Sequence, residues 1–328
     1  MKRFLLLAVA FLSASATAAP SVEPPYAARP EVQAFITAVS QKHNFDEVEL
    51  QRLFSQARMH PGVIKAMTPL PQGKRSWKTY RGNFVNARRI EAGQRFMQIY
   101  AEALQRAEVQ YGVPREIIAA IIGVETEYGR NMGTYRVIDA LSTLSFDYPR
   151  RADYFRDELE EFLLLSRESK VDAAELQGSY AGALGIPQFM PSSIRRYGVD
   201  HDGDQLRDLR NPVDAIGSVA NFLQKHGWVS GGPISVSAVA EGEAFRAFAD
   251  GSVLPAHPVA ELRRAGVKFD AGIANDMQSI LIELDSADAP AEYRVAFQNF
   301  YVLTRYNRSS FYASAVTDLA EALKSQAN

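Results

Sequence analysis

Residues 117–124 read Ile-Ile-Ala-Ala-Ile-Ile-Gly-Val, and this run constrains the fold more than any other stretch. At helical periodicity it is apolar on every side, so it has no face to offer to water and belongs inside a core of other elements. Pro114 suits the first turn of such a helix, and Gly112 suits the end of the element before it. Glu125 follows the run directly. Ile118, Ile121 and Ile122 precede it by seven, four and three residues, which puts the carboxylate on the same helix face as three isoleucines. Loss of water disfavours the charged form and raises the pKa, which is how a general acid is kept protonated near neutral pH. Glu127 lies about 200° further round the helix and faces elsewhere. The alternative for Glu125 is a carboxylate at a fraying helix end, paired with a base such as Arg130.

The rest of the chain as far as about residue 228 reads as helical. Val32, Phe35, Ile36 and Val39 recur at helical spacing. Asp46 and Glu49 form a capping-box pattern before Leu50, Leu53 and Phe54. Residues 69–73 predict a loop, 83–110 one long polar helix, and 151–168 and 212–226 two more, the last with Asn211 as cap, Pro212 as first residue and Gly227 as stop. After 231–233 the pattern changes. Segments 233–240, 278–285 and 293–303 predict strands, 257–265 a short helix, and 311–325 a closing helix. The expected fold class is mainly α, in an α+β arrangement. The expected domains are 19–230 as the helical core with its helical subdomain, 231–299 as a small mixed subdomain, and 300–328 as a return to the core.

The first residues predict an export signal over 1–18. Lys2 and Arg3 precede a short apolar stretch, and Ala16-Thr17-Ala18 is a small-x-small cleavage pattern. A periplasmic, soluble, monomeric protein is the expectation. The chain has no cysteine, so neither an acylated anchor nor a disulfide framework is expected. It carries 36 basic and 38 acidic residues; without Lys2 and Arg3 that becomes 34 against 38, a net −4. This balance argues against a nucleic-acid partner and leaves a glycan open. None of the five histidines has zinc-site spacing, and neither a serine elbow nor a phosphate loop is present.

Several ordered motifs go further. Residues 123–129 (GVETEYG) resemble the catalytic-helix motif of lytic murein transglycosylases of the B type. The stretches SFDYPRR at 145–151, GSYAGALG at 178–185, PQFMPSS at 187–193 and TRYNRS at 304–309 match in the family's order. The resemblance covers about residues 28 to 325. It implies a lysozyme-like helical core with a helical and a small mixed subdomain around a glycan cleft. It also implies non-hydrolytic cleavage of the β-1,4 bond between N-acetylmuramic acid and N-acetylglucosamine, leaving a 1,6-anhydro ring, with Glu125 as the catalytic residue. No cofactor is required for that chemistry. Ser179 and Gln188 match positions that contact the sugars, Ser179 near the acetamido group. Tyr306, Asn307 and Tyr312 match a set near the catalytic glutamate, and Tyr80 an aromatic cleft residue. Arg150 and Arg151 match a basic pair suited to peptide or lactyl carboxylates, and Tyr154 is grouped with them as a substrate contact. Gly178, Gly182 and Gly185 suit close approach of backbone to the glycan or to neighbouring helices. Glycan strands are the expected partner, with wall-synthesis or division proteins as further ones.

Asp200, Asp202 and Asp204 occupy positions 1, 3 and 5 of an EF-hand-like loop. Gln205 stands where such loops have glycine, and Asn211 where they have glutamate. The family's loop is longer and closed by an aspartate, which implies Asp214 as a ligand, with the backbone carbonyl of Leu206, around a structural calcium ion. The alternative is a solvated acidic turn.

Without the resemblance, a lysozyme-like hydrolase using the same glutamate fits the residues as well as a transglycosylase does. A non-catalytic glycan-binding scaffold fits less well, because Glu125 is retained.

Overall fold

A computed structural model describes residues 25–68, 76–287 and 289–324. The expected signal at 1–18 and the whole loop expected at 69–73 lie outside the described residues. The chain falls into two compact units, one ending at Gln56 and the other beginning at Ala57.

The first unit holds a short 3-10 turn and two helices, α1 (Pro30–His43) and α2 (Glu47–Gln56). Val32, Ile36 and Val39 are buried along one face of α1, and Leu50 and Phe54 along α2. Phe35 meets Phe54 edge-on, with ring centroids 5.9 Å apart. Asp46 caps α2: its Oδ1 accepts from the N–H groups of Val48 at 2.8 Å and Glu49 at 3.4 Å.

The second unit begins with α3 (Pro61–Met67), α4 (Trp77–Phe84), α5 (Ala87–Ile99), α6 (Ala101–Tyr111) and α7 (Arg115–Thr126). There follow β1 (Tyr135–Arg136), α8 (Val137–Phe146), α9 (Ala152–Glu168), β2 (Gln177–Gly178), α10 (Pro191–Tyr197) and α11 (Pro212–Lys225). Strands β3 (Ser235–Ala240) and β4 (His257–Pro258), helix α12 (Val259–Arg264), and strands β5 (Val267–Lys268), β6 (Gln278–Ser286) and β7 (Ala289–Ala296) come next. Helices α13 (Gln298–Tyr306) and α14 (Ser310–Lys324) close the described chain.

Helix α7 is the centre of this unit. It packs against α5, α6, α11 and α14, and every residue from Ile117 to Val124 is buried. Its four isoleucines are no more than 4% exposed, and burying each is worth roughly 1.5–3 kcal/mol. The strands from β3 onward form one antiparallel sheet in the order β4-β6-β7-β3-β5. One side of it carries a separate apolar cluster that includes Phe245, Leu262, Leu281 and Val295. Strand β6 also packs against α4 and α14. Arg294 of β7 donates two hydrogen bonds to Asp318 of α14, at 2.6 and 3.0 Å.

Two sequence expectations are corrected. The single polar helix expected over 83–110 is three helices. Asn86 breaks the first junction, its side-chain oxygen accepting from Arg89 N–H at 3.1 Å as an N-cap. Tyr100 leaves helical dihedrals at the second (φ −107°, ψ 28°). The strand expected over 293–303 stops at Ala296, and α13 begins at Gln298. Buried Asn299 forces that change, because its side chain exchanges hydrogen bonds with Val229 and donates to the Gly232 carbonyl, contacts no local pattern encodes. Helix α8 lies in the stretch read only in general terms as helical; its residues 137–145 are all buried, so it too offers no face to solvent. Among the described residues no helix is long and apolar enough to cross a membrane.

Candidate active site

Glu125 stands in the last turn of α7, half-buried. Tyr312, near the start of α14 and 2% exposed, donates its phenolic proton to Glu125 Oε1 at 2.7 Å. Burial pushes the carboxyl up to about 7 from 4.5, and the Tyr312 hydrogen bond pulls in the opposite direction without cancelling it. Tyr306 stacks on Tyr312, with centroids 6.2 Å apart and planes 13° from parallel. Burial, then the facing Glu125 charge, raises both phenols well above their ordinary value. Tyr80 adds its own charge to the raising of Tyr312. Tyr80 is held in an aromatic group with Trp77, Phe84 and Phe311. The backbone of α14 is set by Ser309, whose Oγ accepts from Tyr312 N–H at 3.3 Å.

A loop from β2 to α10 reaches the same place. Thr126, next to Glu125, donates to the Ile186 carbonyl at 2.8 Å, and Tyr306 Oη donates to the Pro187 carbonyl at 2.6 Å. Gln188 therefore follows directly on two anchored residues. It adopts a left-handed conformation (φ 51°), which costs a non-glycine residue roughly 1–2 kcal/mol. Its amide donates to the carbonyls of Met132 at 3.1 Å and Gly185 at 3.0 Å, leaving its own carbonyl oxygen as an acceptor. Ser179 accepts the Ala183 N–H at 3.0 Å through Oγ, so its hydroxyl proton remains to be donated. Gly182 (φ 84°) packs so tightly that a Cβ would stand 2.4 Å from Leu141 Cδ2. The loop glycines thus serve contacts within the protein.

Other expected residues are not joined to this group. Asn307 is exposed at the end of α13. Arg150 and Arg151 are exposed ahead of α9. Arg151 lies over the Tyr154 ring at 4.2 Å, and burial, with the Glu158 charge beside it, pushes the Tyr154 phenol up to about 12. These three form a patch of their own.

The acidic loop is partly assembled. Carboxylate oxygens of Asp200, Asp202 and Asp214 lie within 4.8 Å of one another. Asp204 is outside that group, its Oδ1 accepting from Leu206 N–H at 2.7 Å, and the Leu206 side chain is exposed. Gln205 takes the left-handed conformation (φ 72°) that glycine supplies in a standard loop. Asp214 is buried at the start of α11 and accepts from His201 and Asp208 backbone N–H groups.

The model of the transglycosylase SLT domain matches residues 27–321. The chain belongs to this family. It is 42% identical over 307 residues to membrane-bound lytic murein transglycosylase B of Escherichia coli, covering 91% of this chain and 84% of the relative. The crystal structure of lytic transglycosylase SltB1 from Pseudomonas aeruginosa superposes with a TM-score of 0.88 at 44% identity, covering 92% of this chain and all of that one. The structure of Escherichia coli Slt35 in complex with calcium superposes at 0.82 with 43% identity, covering 91% of this chain and 94% of that one. This SLT-family chain is therefore a peptidoglycan lytic transglycosylase with the lysozyme-like, mainly helical fold of those structures.

The sequence gives no indication of what Glu127 does. It is 3% exposed, and its Oε2 accepts from Arg88 Nη2 at 2.5 Å and Asn131 Nδ2 at 3.4 Å. Burial works to raise this carboxyl, but the hydrogen bond and charge of Arg88, with Arg89 and Arg130, outweigh it and hold it below its ordinary value. The arginine-paired role considered for Glu125 thus falls to Glu127. Helical phase predicts that the two carboxylates diverge; nothing in the spacing predicts Arg88 as partner.

Glu125 also leaves a signature in stability. Its folded pKa of about 7 exceeds the ordinary 4.5, so between those values the folded state binds the extra proton, and stability is lost as pH rises through about 7. Urea unfolding of the wild type at about pH 5 and about pH 8, compared with Glu125→Gln, is expected to show a smaller pH-dependent loss in the variant. Equal losses in both proteins would contradict the burial of this group.

Proposed function

We propose that this transglycosylase cleaves the β-1,4 bond between N-acetylmuramic acid and N-acetylglucosamine with Glu125 as its one acid and base. The observation that carries the reading is a carboxyl raised to about 7 by burial and held by Tyr312. Protonated Glu125 gives its proton to the bridging oxygen as the C1–O4 bond breaks. A two-carboxylate glycosidase would need a second Asp or Glu; here the substrate's own acetamido oxygen stabilises C1, with Ser179 donating its free proton to that group. The Glu125 carboxylate then takes the proton from O6 of the muramic acid as the C1–O6 bond forms. Proton and bond counts close without water. Tyr312 holds Glu125 Oε1 in both steps, and Tyr306 and Gln188 line the approach, Gln188 through its open carbonyl. Tyr80 extends the aromatic wall, and Asn307 lies at the rim. The Arg150, Arg151 and Tyr154 patch takes stem-peptide or lactyl carboxylates.

Purified sacculi digested by the wild type should release anhydro products, lighter by one water than hydrolysed ones, as read by mass spectrometry. Glu125→Gln should slow release by about 100-fold or more, and wild-type activity should fall as pH rises through about 7. Products carrying the extra water, or undiminished digestion by Glu125→Gln, would overturn the reading.

We also propose that the acidic loop holds a structural calcium ion, through Asp200, Asp202 and Asp214 with Asp204 and the Leu206 carbonyl. The three converging carboxylates support this, as does the calcium complex of the similar Slt35. Calcium supplies no step of the reaction. At a hundredfold excess over Kd it should stabilise the fold by about 2.7 kcal/mol, seen as a raised Tm that is lost in Asp200→Asn. Calorimetry on stripped protein without any binding heat would contradict it. Export to the periplasm after removal of residues 1–18 belongs to the same proposal, supported by the signal pattern and by a wall substrate outside the cytoplasm.

A further inference from the structure

Helix α7 ends one residue after Glu125 in an unusual way. Thr126 is its last residue; Glu127 (φ 52°) and Tyr128 (φ 61°) are both left-handed, and Gly129 (φ 87°) follows. The closure is of the αL type: Glu127 N–H donates to the Gly123 carbonyl at 3.1 Å, and beyond it Tyr128 N–H donates to the Ile122 carbonyl at 3.4 Å. Such closures favour glycine at the left-handed position. Here a buried glutamate and a tyrosine occupy consecutive left-handed positions, so the surrounding protein must hold them there.

Two contacts do so. Glu127 is tied to Arg88 of α5, while its Oε1 is buried without a partner. The Tyr128 ring is pressed between α5 and α7: a Cβ added at Gly93 would stand 2.2 Å from its hydroxyl oxygen, and one at Gly123 2.5 Å. Phe96 covers the ring at 5.4 Å. A glycine in place of Glu127 would relieve the backbone, yet the chain keeps a buried charge there. Strain of this kind beside a reactive group points to a task for the strained segment.

We propose that the Glu127–Arg88 ion pair is a positioning device that fixes the last turn of α7 and thereby aligns the Glu125 carboxyl with Tyr312. It rests on the reading of Glu125 as the acid. In this role Glu127 and Arg88 act through the helix and not on the reacting atoms. The pair anchors the C-terminal end of the helix on which Glu125 rides, and Tyr312 approaches from α14.

The test is steady-state kinetics on purified glycan strands with thermal melts in parallel. Glu127→Gly frees the backbone and removes the anchor. It should keep its Tm, lose about tenfold or more in kcat through misalignment, hold KM, and shift the upper limb of its pH profile upward as the Tyr312 hydrogen bond loosens. Arg88→Lys, which keeps the charge, should retain most of the rate, and Arg88→Gln at this exposed position should reproduce the loss. Wild-type kcat and pH limb in Glu127→Gly and Arg88→Gln would overturn the inference. So would rate losses that only follow a fallen Tm with the pH limb unmoved. If Glu127→Gly does not fold, Arg88→Gln against Arg88→Lys decides the same question. An active Glu125→Gln control would instead remove the reading of Glu125 on which the inference stands.

Discussion

A helix without a polar face is stable only where other elements close round it on all sides, and α7 is such a helix. The enclosure by α5, α6, α11 and α14 does two things at once. It stabilises the centre of the second unit through its buried isoleucines, and it strips water from the one carboxyl at the end of the run. The same desolvation that raises Glu125 to about 7 would simply destabilise the fold if nothing used the protonated form. Tyr312 limits that cost by offering a hydrogen bond to the charged form, so the carboxyl stays within reach of both protonation states near neutral pH.

The neighbouring carboxylate illustrates the opposite solution. Glu127 is at least as buried as Glu125, but arginines surround it and keep it ionised. Two glutamates two residues apart are thus driven in opposite directions by their surroundings, one towards proton transfer and one towards a fixed charge. Backbone strain follows the same geography. Among the described residues six other than glycine have positive φ, and four of them, Glu127, Tyr128, Gln188 and Gln205, lie just after α7, in the loop between β2 and α10 or in the acidic loop, where strain is retained if the segment has a task.

Much of this was legible in the sequence wherever the cause was local. The apolar run gave α7 and the face of Glu125; Asn211, whose side chain accepts from Val213 N–H at 2.9 Å, gave the start of α11. What failed was non-local. Tyr100 interrupts a polar pattern that continues on both sides of it, and Asn299 turns a strand-like run into a helix through contacts with residues 67 and 70 positions away. The tyrosines around Glu125 come from the far end of the chain, and only ordered motifs pointed to them. The Arg88–Glu127 pair left no pattern, because periodicity tells which way a side chain faces and not what it meets.

Burial raises the Glu125 carboxyl to about 7, so that it still carries a proton near neutral pH. Carboxyl-carbon NMR of protein labelled at glutamate, with Glu125 assigned by its loss in Glu125→Gln, follows that one group directly through a pH titration. A midpoint near 7, as burial at the end of α7 requires, would support the account. A midpoint near 4.5, the ordinary value, would contradict it.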